Sequence, residues 1–529
     1  MGSFEWTSPT RRIGRRELSP IPNEVYLEIF SYFEPTEAGS REDCKKVLSN
    51  LALVCRFFGA FAISHIYHTV VFSGHDRSPG LVPFCRGLVN DDSGPSSRLS
   101  RDVAEFVREV VFKDWIGRDE GVWGAFLSLY LNAVRKLPSV ESIHLESTPI
   151  SKTLILAVTK SFKKIPLPDK DSSTGGALSI RSCAIHADIS AKEERQLNSL
   201  RLSHLEYISC SGDLPPKIMF LQNVETFRTD SWPFSDHFLR KKHPDLRVLE
   251  LHNVESTCDS VLFKFLSQSP SITDLIIHCI SINPQFPIPA DALRPNSLPK
   301  LTTLTIPPTL LKHFGRPTLR TVSLSGREMR QWNGDVYHNP VLPLFTAKEL
   351  APLLLARSTL TELNIHDHMY SALPEFHKRF PQLRVLLLDY THVNFSSSEG
   401  PPLYTAESFR AEVERIGARW GAAPAPLQLC EFRIHIGSGS VIEMHPFLWD
   451  LPFQRSLIVS ALATPSRAPL LTRVSFAKWI VWERWDAHTE GAGSWRPWVP
   501  CEMREFVKTK LEKGAMIVDV RPGGLAGLD

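Results

Sequence analysis

A recurring apolar pattern, leucine-x-x-leucine-x-leucine with other apolar residues allowed, runs through most of this sequence and constrains its fold more than any other feature. The copies, each given by its three apolar positions, are Val107-Val110-Phe112, Val140-Ile143-Leu145, Leu205-Ile208-Cys210, Leu246-Leu249-Leu251, Ile272-Leu275-Ile277, Leu301-Leu304-Ile306, Leu319-Val322-Leu324, Leu360-Leu363-Ile365, Leu383-Leu386-Leu388, Leu429-Phe432-Ile434 and Leu471-Val474-Phe476. Two weaker copies are Ile180-Cys183-Ile185 and Val224-Phe227-Thr229. Apolar residues at alternate positions predict short strands with one buried face, which a neighbour must cover.

Proline marks the approach to many of these copies. It stands two residues before the first apolar position at Pro138, Pro244, Pro270, Pro299, Pro317, Pro381 and Pro469. Because proline disfavours helical geometry in the residue before it, it ends the preceding segment and favours an extended one after it. The clearest helix signals precede such strands, at Phe234 to Lys242, Asp259 to Gln268, Thr346 to Arg357 and Thr405 to Trp420.

Helix and short strand recur, with successive copies often starting 18 to 29 residues apart. This arrangement resembles a degenerate leucine-rich-repeat solenoid over about 107 to 477. In that fold the strands form a parallel sheet on the concave face, the helices lie outside, and neighbouring repeats share one core. The resemblance therefore implies an α/β fold for this part of the chain.

The N-terminal region carries helix signals of its own. Pro22 and Glu24 suit a first helical turn and Pro35 bars continuation, which predicts a helix from about 22 to 33. A capping-box pattern at Ser40 predicts a second helix to about Gly59, and Phe61 to Phe72 is expected to form a third. The side chains expected to face inward are Val25, Tyr26, Ile29, Phe30, Phe33, Cys44, Val47, Leu48, Leu51, Val54, Cys55 and Phe58. Three helices in about fifty residues bury little surface, so a leftover apolar face is expected to need another chain.

The residues Ile21-Pro22-x-Glu24, Ile29-Phe30 and Phe33, then Leu51, Leu53-Val54-Cys55-Arg56 and Phe58, resemble the F-box over residues 18 to 72. The F-box attaches substrate receptors to the Skp-type adaptor of cullin-RING ubiquitin ligases. The adaptor contacts that the resemblance implies are Pro22, Glu24, Leu27, Ile29, Phe30, Leu53, Cys55 and Arg56. Phe57, which like Leu27 and Leu53 does not fit the inward stripe, is added to this set.

The predicted organisation is a basic tail (1–17), an F-box-like three-helix module (18–72), a linker that includes a helix (73–105), the repeat array (106–480) and a Trp-rich cap (481–529). Ser73 to Arg101 is expected to be loop-like because it is rich in Ser, Gly, Asp and Pro. The C-terminal tryptophans are Trp479, Trp482, Trp485, Trp495 and Trp498, followed by a predicted helix from Cys501 to Lys513 and a strand, AMIVDV. They favour a cap over the open end of the core, with an exposed aromatic platform as the alternative.

Strand alternation places polar residues on the face opposite the core leucines. We expect the substrate-binding positions to be Glu250, His252, Asp274, His278, Glu362, Asn364, His366, Asp389, Arg433 and His435. A mixed polar surface of this kind suits an extended protein ligand better than a small metabolite. His252 and His278 share one position in consecutive strands, with Glu250 and Asp274 nearby, but zinc sites need three or four converging ligands. The sequence therefore predicts neither a metal site nor a cofactor.

Composition and motifs narrow the function. The net charge of +3, from 60 basic and 57 acidic residues, gives no argument for nucleic acid or a membrane surface. Nine cysteines without a CxxC pair, and the lack of a signal-peptide pattern, predict a cytoplasmic or nuclear protein. No HExxH, P-loop, GxSxG or dinucleotide motif is present, so intrinsic catalysis is not expected. The leading hypothesis is a substrate receptor of a ubiquitin ligase that joins an adaptor to an unknown protein substrate. The alternatives are a ligase-independent repeat scaffold and an enzyme with a site assembled from distant residues.

Overall fold

In the computed structural model the chain forms two compact units, Met1–Arg228 and Thr229–Asp529, here called the N-terminal and the C-terminal unit. The structure describes residues 11–13, 16–18, 21, 25, 26, 28, 41–54, 56–74, 81–90, 94–116, 122–162, 177–183, 190, 192, 193, 196, 202–207, 224–254, 259–282, 292–325, 327–332, 335–338, 346–373, 375–390, 405–423, 427–436, 446–463, 466–484, 495–500 and 503–512.

The N-terminal unit contains a parallel sheet whose strands follow one another in chain order. The strands of this unit are β1 (Arg11–Ile13), β2 (Arg16–Leu18), β3 (Thr69–Ser73), β4 (Glu109–Lys113), β5 (Ser142–Glu146), β6 (Ala177–Arg181), β7 (Leu202–Tyr207) and, at the end of the unit, β8 (Val224–Thr229). Its helices are α1 (Arg41–Ala52), α2 (Arg56–His68), α3 (Leu81–Val89), α4 (Pro95–Ala104), α5 (Val122–Val134) and α6 (Lys152–Phe162). Strands β3 to β7 pair in parallel and β8 lies next to β7, while β1 and β2 form a separate antiparallel pair.

The C-terminal unit repeats this arrangement over more strands. They are β9 (Val248–Leu251), β10 (Asp274–Ile277), β11 (Cys279–Ile282), β12 (Thr303–Thr305), β13 (Thr321–Ser323), β14 (Arg327–Trp332), β15 (Asp335–His338), β16 (Glu362–His366), β17 (Val385–Asp389), β18 (Glu431–His435), β19 (Arg473–Ala477), β20 (Ile480–Arg484) and β21 (Trp495–Trp498). The α-helices are α7 (Trp232–Leu239), α8 (Asp259–Ser267), α9 (Leu311–Phe314), α10 (Asp367–Ala372), α11 (Phe376–Arg379), α12 (Ala406–Gly421), α13 (Leu451–Leu457) and α14 (Arg504–Glu512). Short 3₁₀ helices span Pro308–Leu310, Ala351–Ala356 and Pro446–Trp449, and a π-helical turn spans Ile458–Leu462.

The sheet of the C-terminal unit is parallel from β9 to β19 and antiparallel at its last two strands. Its order is β9-β10-β12-β13-β16-β17-β18-β19-β20-β21. Strands β11, β14 and β15 form a small side sheet. The prediction of a mixed α/β fold with a mostly parallel sheet is confirmed in both units.

The apolar positions of the sequence pattern line up from strand to strand. In the C-terminal unit the second position of each copy lies in register with the next, in the order Leu249, Leu275, Leu304, Val322, Leu363, Leu386, Phe432 and Val474. We call this line of side chains the apolar row, and every member is buried. In the N-terminal unit Phe72, Phe112 and Leu145 line up in the same way and are also buried. The predicted burial of the strand leucines is thus confirmed.

The register predicted between residues 177 and 210 is wrong. Leu145 pairs with Ile180, and Ile180 pairs with Leu205, so Ile180 and Leu205 occupy the third position of their copies instead of the first. Cys183 follows the end of β6, where its thiol is buried and burial raises its pKa to about 12. Because apolar residues fill several neighbouring positions here, the local pattern fits two registers, and only pairing with β5 selects one.

Two predictions near the start of the sheet are also wrong. The third helix, expected to reach Phe72, ends at His68, and Thr69–Ser73 is strand β3 paired with β4. The stretch expected to be loop-like contains α3 and α4. Helix α4 starts after Gly94 with proline at its first position, and α3 buries Phe84 and Leu88. The Gly, Ser and Pro residues of this stretch therefore mark helix starts as well as loops.

The C-terminal tryptophans are mostly internal. Trp479, Trp482 and Trp495 are buried, and the Trp482 indole donates a hydrogen bond of 2.8 Å to Gln454 Oε1. An exposed aromatic platform is therefore wrong for these three residues, while the capping role stays a prediction. Helix α14 lies within the predicted helical segment, and Trp485 and the AMIVDV segment lie outside the described residues. Among the described helices, none is long and apolar enough to cross a membrane.

Candidate functional site

The N-terminal helices have a small core of their own. Tyr26 is buried and its ring meets the Phe58 ring edge-on at 5.4 Å, with Ile21, Leu51 and Phe61 packed around it. At Gly59 an added Cβ would lie 3.1 Å from the Ala52 carbonyl oxygen, so α1 and α2 approach closely there. Among the described residues, aromatic and aliphatic side chains from α1, α2 and the segment before them thus share one apolar cluster.

Apolar side chains near this core face solvent. Leu53 is 87% exposed and Val54 64% exposed, in the turn between α1 and α2 where their amides donate to the carbonyls of Asn50 and Leu51. Val25 and Val47 are also exposed, at 44% and 39%. The expectation that Val25, Val47 and Val54 face inward is wrong. For Val54 the reason is the turn at 53 and 54, which interrupts the helical spacing on which the expectation depended. The predicted off-stripe position of Leu53 is confirmed. We call Val25, Val47, Leu53 and Val54 the N-terminal apolar set.

Most of the other predicted adaptor contacts cannot be placed on this surface. Those outside the described residues are Pro22, Glu24, Leu27, Ile29, Phe30 and Cys55. Arg56 and Phe57 form the start of α2, directly after the turn that carries Leu53.

The polar face of the N-terminal sheet carries pairs of acidic and basic side chains. Glu109 accepts a 2.5 Å hydrogen bond from the Thr69 hydroxyl, and its other oxygen lies 3.1 Å from His144 Nε2. Glu206 is buried, with Arg181 at 2.8 Å, His204 at 3.2 Å and Arg228 at 3.6 Å. These residues were not predicted from the sequence as part of a site. A signal was present, because Glu109 stands directly before a buried strand residue, as the predicted Asp274 does.

The predicted residues Glu250, His252 and His278 come together in the C-terminal unit. Glu250 Oε1 lies 3.0 Å from His252 Nε2 and 2.9 Å from His278 Nε2, and the two imidazole centroids are 4.5 Å apart. Glu250 is buried, whereas the two histidines are partly exposed. Asp274 is on the same face but accepts a 2.5 Å hydrogen bond from Thr273 instead. We call Glu250, His252 and His278 the histidine–glutamate triad.

Further along the same face the polar side chains pair within or across strands. Thr321 donates to Glu362 at 3.1 Å, Asn364 donates to Ser323 at 2.9 Å, and Arg433 pairs with Glu431 at 2.7 Å. Glu362 and Arg433 are exposed and Asn364 is partly exposed. These three residues are available on the polar face, as predicted.

The predicted residues at the ends of β16 and β17 are not available in the same way. His366 and Asp389 are buried, so the expectation that their side chains face solvent is wrong. Helix α10 begins immediately after His366, and the His366 and His368 rings lie almost parallel at 5.7 Å. His435 is partly exposed beside Asp389, with 3.8 Å between Nδ1 and Oδ1, and burial lowers its pKa while Asp389 opposes that shift.

The polar faces thus offer hydrogen-bonding and charged groups of both signs, arranged along consecutive parallel strands. Such an arrangement is suited to recognition of an extended polar chain. The chain matches no protein-family model and no curated protein.

Proposed function

We propose that this chain is the substrate-recognition subunit of an SCF-type ubiquitin ligase, a member of the F-box proteins with leucine-rich repeats. Its N-terminal helices bind the Skp-type adaptor, and the polar face of its sheet binds a protein substrate. The chain contributes no catalytic group in this proposal. It accelerates ubiquitin transfer by holding the substrate near the transferred ubiquitin, which replaces a bimolecular encounter by a local one.

The observation that carries the proposal is the exposure of Leu53 and Val54 beside the helical core around Tyr26. Large apolar side chains that stay in water cost free energy of roughly 25 cal/mol per Å² compared with burial, and a cluster of them on one module is typical of a binding surface. The F-box resemblance assigns an adaptor contact to Leu53 independently of its exposure.

The aligned strands support the second half of the proposal. Consecutive copies of the apolar pattern form consecutive parallel strands with a shared buried row, which is how stacked leucine-rich repeats bury their cores. The opposite face then carries residues such as Glu362, Asn364 and Arg433, whose groups hydrogen-bond and pair with a polar ligand. A ligase-independent scaffold would use the same face without the adaptor.

The test is co-expression of the full-length chain with a Skp-type adaptor, followed by measurement of co-purification and of the dissociation constant. Leu53→Asp places a carboxylate where an apolar contact forms, so adaptor binding is expected to weaken at least about tenfold. Leu99→Asp is the matched control, because Leu99 is also largely exposed but lies on α4. It is expected to leave binding unchanged.

Addition of cullin, RING subunit and ubiquitin-charged enzyme then distinguishes a ligase receptor from a ligase-independent scaffold. A ligase receptor assembles with the cullin through the adaptor, and assembly fails with Leu53→Asp. If the unmodified chain does not bind the adaptor, the ligase proposal is wrong and the scaffold remains. Equal binding by Leu53→Asp and the unmodified chain would remove Leu53 from the adaptor surface.

A further inference from the structure

The histidine–glutamate triad brings three different metal-ligating side chains to one point. The ligand atoms of Glu250, His252 and His278 all lie within 4.8 Å of one another. Both Nε2 atoms lie within 3.0 Å of the same carboxylate oxygen, Oε1 of Glu250, and the His278 nitrogen is hydrogen-bonded to it. Local spacing along the chain does not produce this convergence, since Glu250 and His278 are 28 residues apart in sequence.

The parallel register of β9 and β10 is what assembles the triad. Leu251 pairs with Ile277, so the next residues, His252 and His278, leave the two strands side by side. Their backbones are fixed there, because the His252 amide donates to Thr229 O and the His278 amide donates to Leu251 O, both at 2.9 Å. Glu250 precedes His252 by two residues and so projects from the same face of the sheet, which brings its carboxylate close to both rings. Ligand sites at the carboxyl ends of parallel strands are frequent in open α/β sheets.

We propose that Glu250, His252 and His278 bind a divalent transition-metal ion, with Zn²⁺ as the reference ion. Imidazole and carboxylate are ligands that zinc and its neighbours accept, at about 2.0 to 2.2 Å. At tetrahedral angles these bond lengths separate the ligand atoms by about 3.3 Å. The two nitrogen–oxygen separations of 2.9 and 3.0 Å need to open by only a few tenths of an ångström, and all three ligand atoms lie within 4.8 Å of one another. Partly exposed histidine side chains adjust to such distances by rotation about their side-chain bonds.

The ion would compete with protons for the two Nε2 atoms, since each imidazole must present a lone pair on Nε2, and not an N–H, to bind a metal. Glu250 is buried beside the two imidazoles, and its carboxylate adds a negative charge to the site. A site with this charge attracts a dication more strongly than two neutral imidazoles do alone. Three protein ligands leave at least one coordination position open, and the half-exposed histidines leave it accessible to water or to a ligand atom from outside.

The two histidine–carboxylate groups of the N-terminal sheet differ from the triad in ways that disfavour a metal. Glu206 already contacts the guanidinium groups of Arg181 and Arg228, whose positive charges exclude a second cation. Glu109 has one histidine partner, His144, and its second oxygen accepts from Thr69. The triad alone among the described residues combines three ligands within reach of one ion. The inference does not depend on the ligase proposal.

The experiment uses the full-length chain, freed of metal by a chelator and exchanged into chelator-free buffer. Zn²⁺ is titrated in competition with a chromophoric chelator, and Co²⁺ is added in parallel to record its visible absorption bands. The variants His252→Ala, His278→Ala and Glu250→Gln are each expected to lose about one equivalent of tight zinc binding, with the dissociation constant raised at least about tenfold. The cobalt bands are expected to change or disappear with the same variants, because they report on the ligand set.

His144→Ala is the matched control, since it removes a partly exposed histidine that contacts a glutamate on the polar face of the other unit. It is expected to retain zinc binding. Far-ultraviolet circular dichroism of each variant checks that the fold is kept. The proposal is overturned if the unmodified chain binds no zinc equivalent tightly, or if folded triad variants bind zinc as the unmodified chain does.

Discussion

His377 is a partly buried histidine whose surroundings disfavour its charged form. Its Nε2 lies 3.3 Å from the Tyr370 hydroxyl, and its ring meets the Trp420 ring edge-on. Burial, assisted by the positive charge of Arg419, lowers the pKa of His377 to about 4. Burial also raises the pKa of Tyr370 to about 12, so the hydroxyl beside His377 is neutral near pH 7.

This environment predicts that stability falls between pH 7 and pH 4. In that range the unfolded chain binds a proton at His377, whose ordinary pKa is 6.5, while the folded chain does not. Stability is therefore fully present above about pH 6.5 and is progressively lost as the pH falls toward 4, by at most about 3 kcal/mol. The measurement is urea unfolding of the chain and of His377→Gln at several pH values.

His377→Gln is expected to lose less stability as the pH falls, because glutamine has no group that binds a proton in this range. His68→Gln, at an exposed position of α2, provides the comparison and is expected to follow the unmodified chain. Identical pH profiles for His377→Gln and the unmodified chain would show that His377 does not titrate in this way.

The contact between α12 and the π-helical turn Ile458–Leu462 depends on a glycine. A Cβ on Gly417 would fall far inside van der Waals contact with the carbonyl oxygen of Ala461. Arg467 Nη1 also donates to the Gly417 carbonyl at 3.2 Å, which fixes the helix at this point. Backbone therefore packs against backbone, which leaves no flexible side chain to move aside.

Gly417→Ala is expected to destabilise the chain by about 1 to 3 kcal/mol, because overpacking outweighs the better helix propensity of alanine. Thermal and urea unfolding measure the change. Gly124→Ala in α5 is the matched control, since nothing lies within 4 Å of an added Cβ there. That substitution is expected to be neutral or stabilising by up to about 1 kcal/mol. Equal effects of the two substitutions would contradict the close approach at Gly417.

Element boundaries were harder to predict than element types. Thr69 to Phe72 continues the apolar character of α2, so the sequence extended the helix, yet its β-branched residues pair with β4. In contrast, α12 was predicted almost to the residue because Thr405 caps it, with its hydroxyl accepting from the Ser408 amide. Local signals thus placed the start of α12, where a capping side chain acts, and failed at Thr69, where a tertiary partner decides.

At the scale of the whole molecule, buried rows of side chains hold each sheet to its helices. Leu304 is fully buried in the apolar row of the C-terminal unit, between Leu275 and Val322 on the neighbouring strands. Leu304→Ala is expected to cost about 2 to 5 kcal/mol, because the cavity is enclosed by fixed strands that cannot collapse into it. Urea unfolding followed by circular dichroism measures this loss.

Leu355→Ala is the control for Leu304→Ala, because the Leu355 side chain is 59% exposed in the same unit. It is expected to change stability by less than about 0.5 kcal/mol. A small effect of Leu304→Ala would show that the row tolerates a void and that burial in one strand does not depend on its neighbours.

The sequence by itself determined the alternation of each strand and the parallel, mixed α/β class, because side-chain direction along a strand follows from local geometry with a period of two residues. It also marked Leu53 as a residue outside the helical stripe. Only the tertiary structure decided that Ile180 and Leu205 occupy the third position of their copies, that His366 and Asp389 are buried, and that Glu250 meets both His252 and His278. These facts depend on register and on covering elements distant along the chain, and pairing between strands fixes them where local spacing leaves alternatives equal.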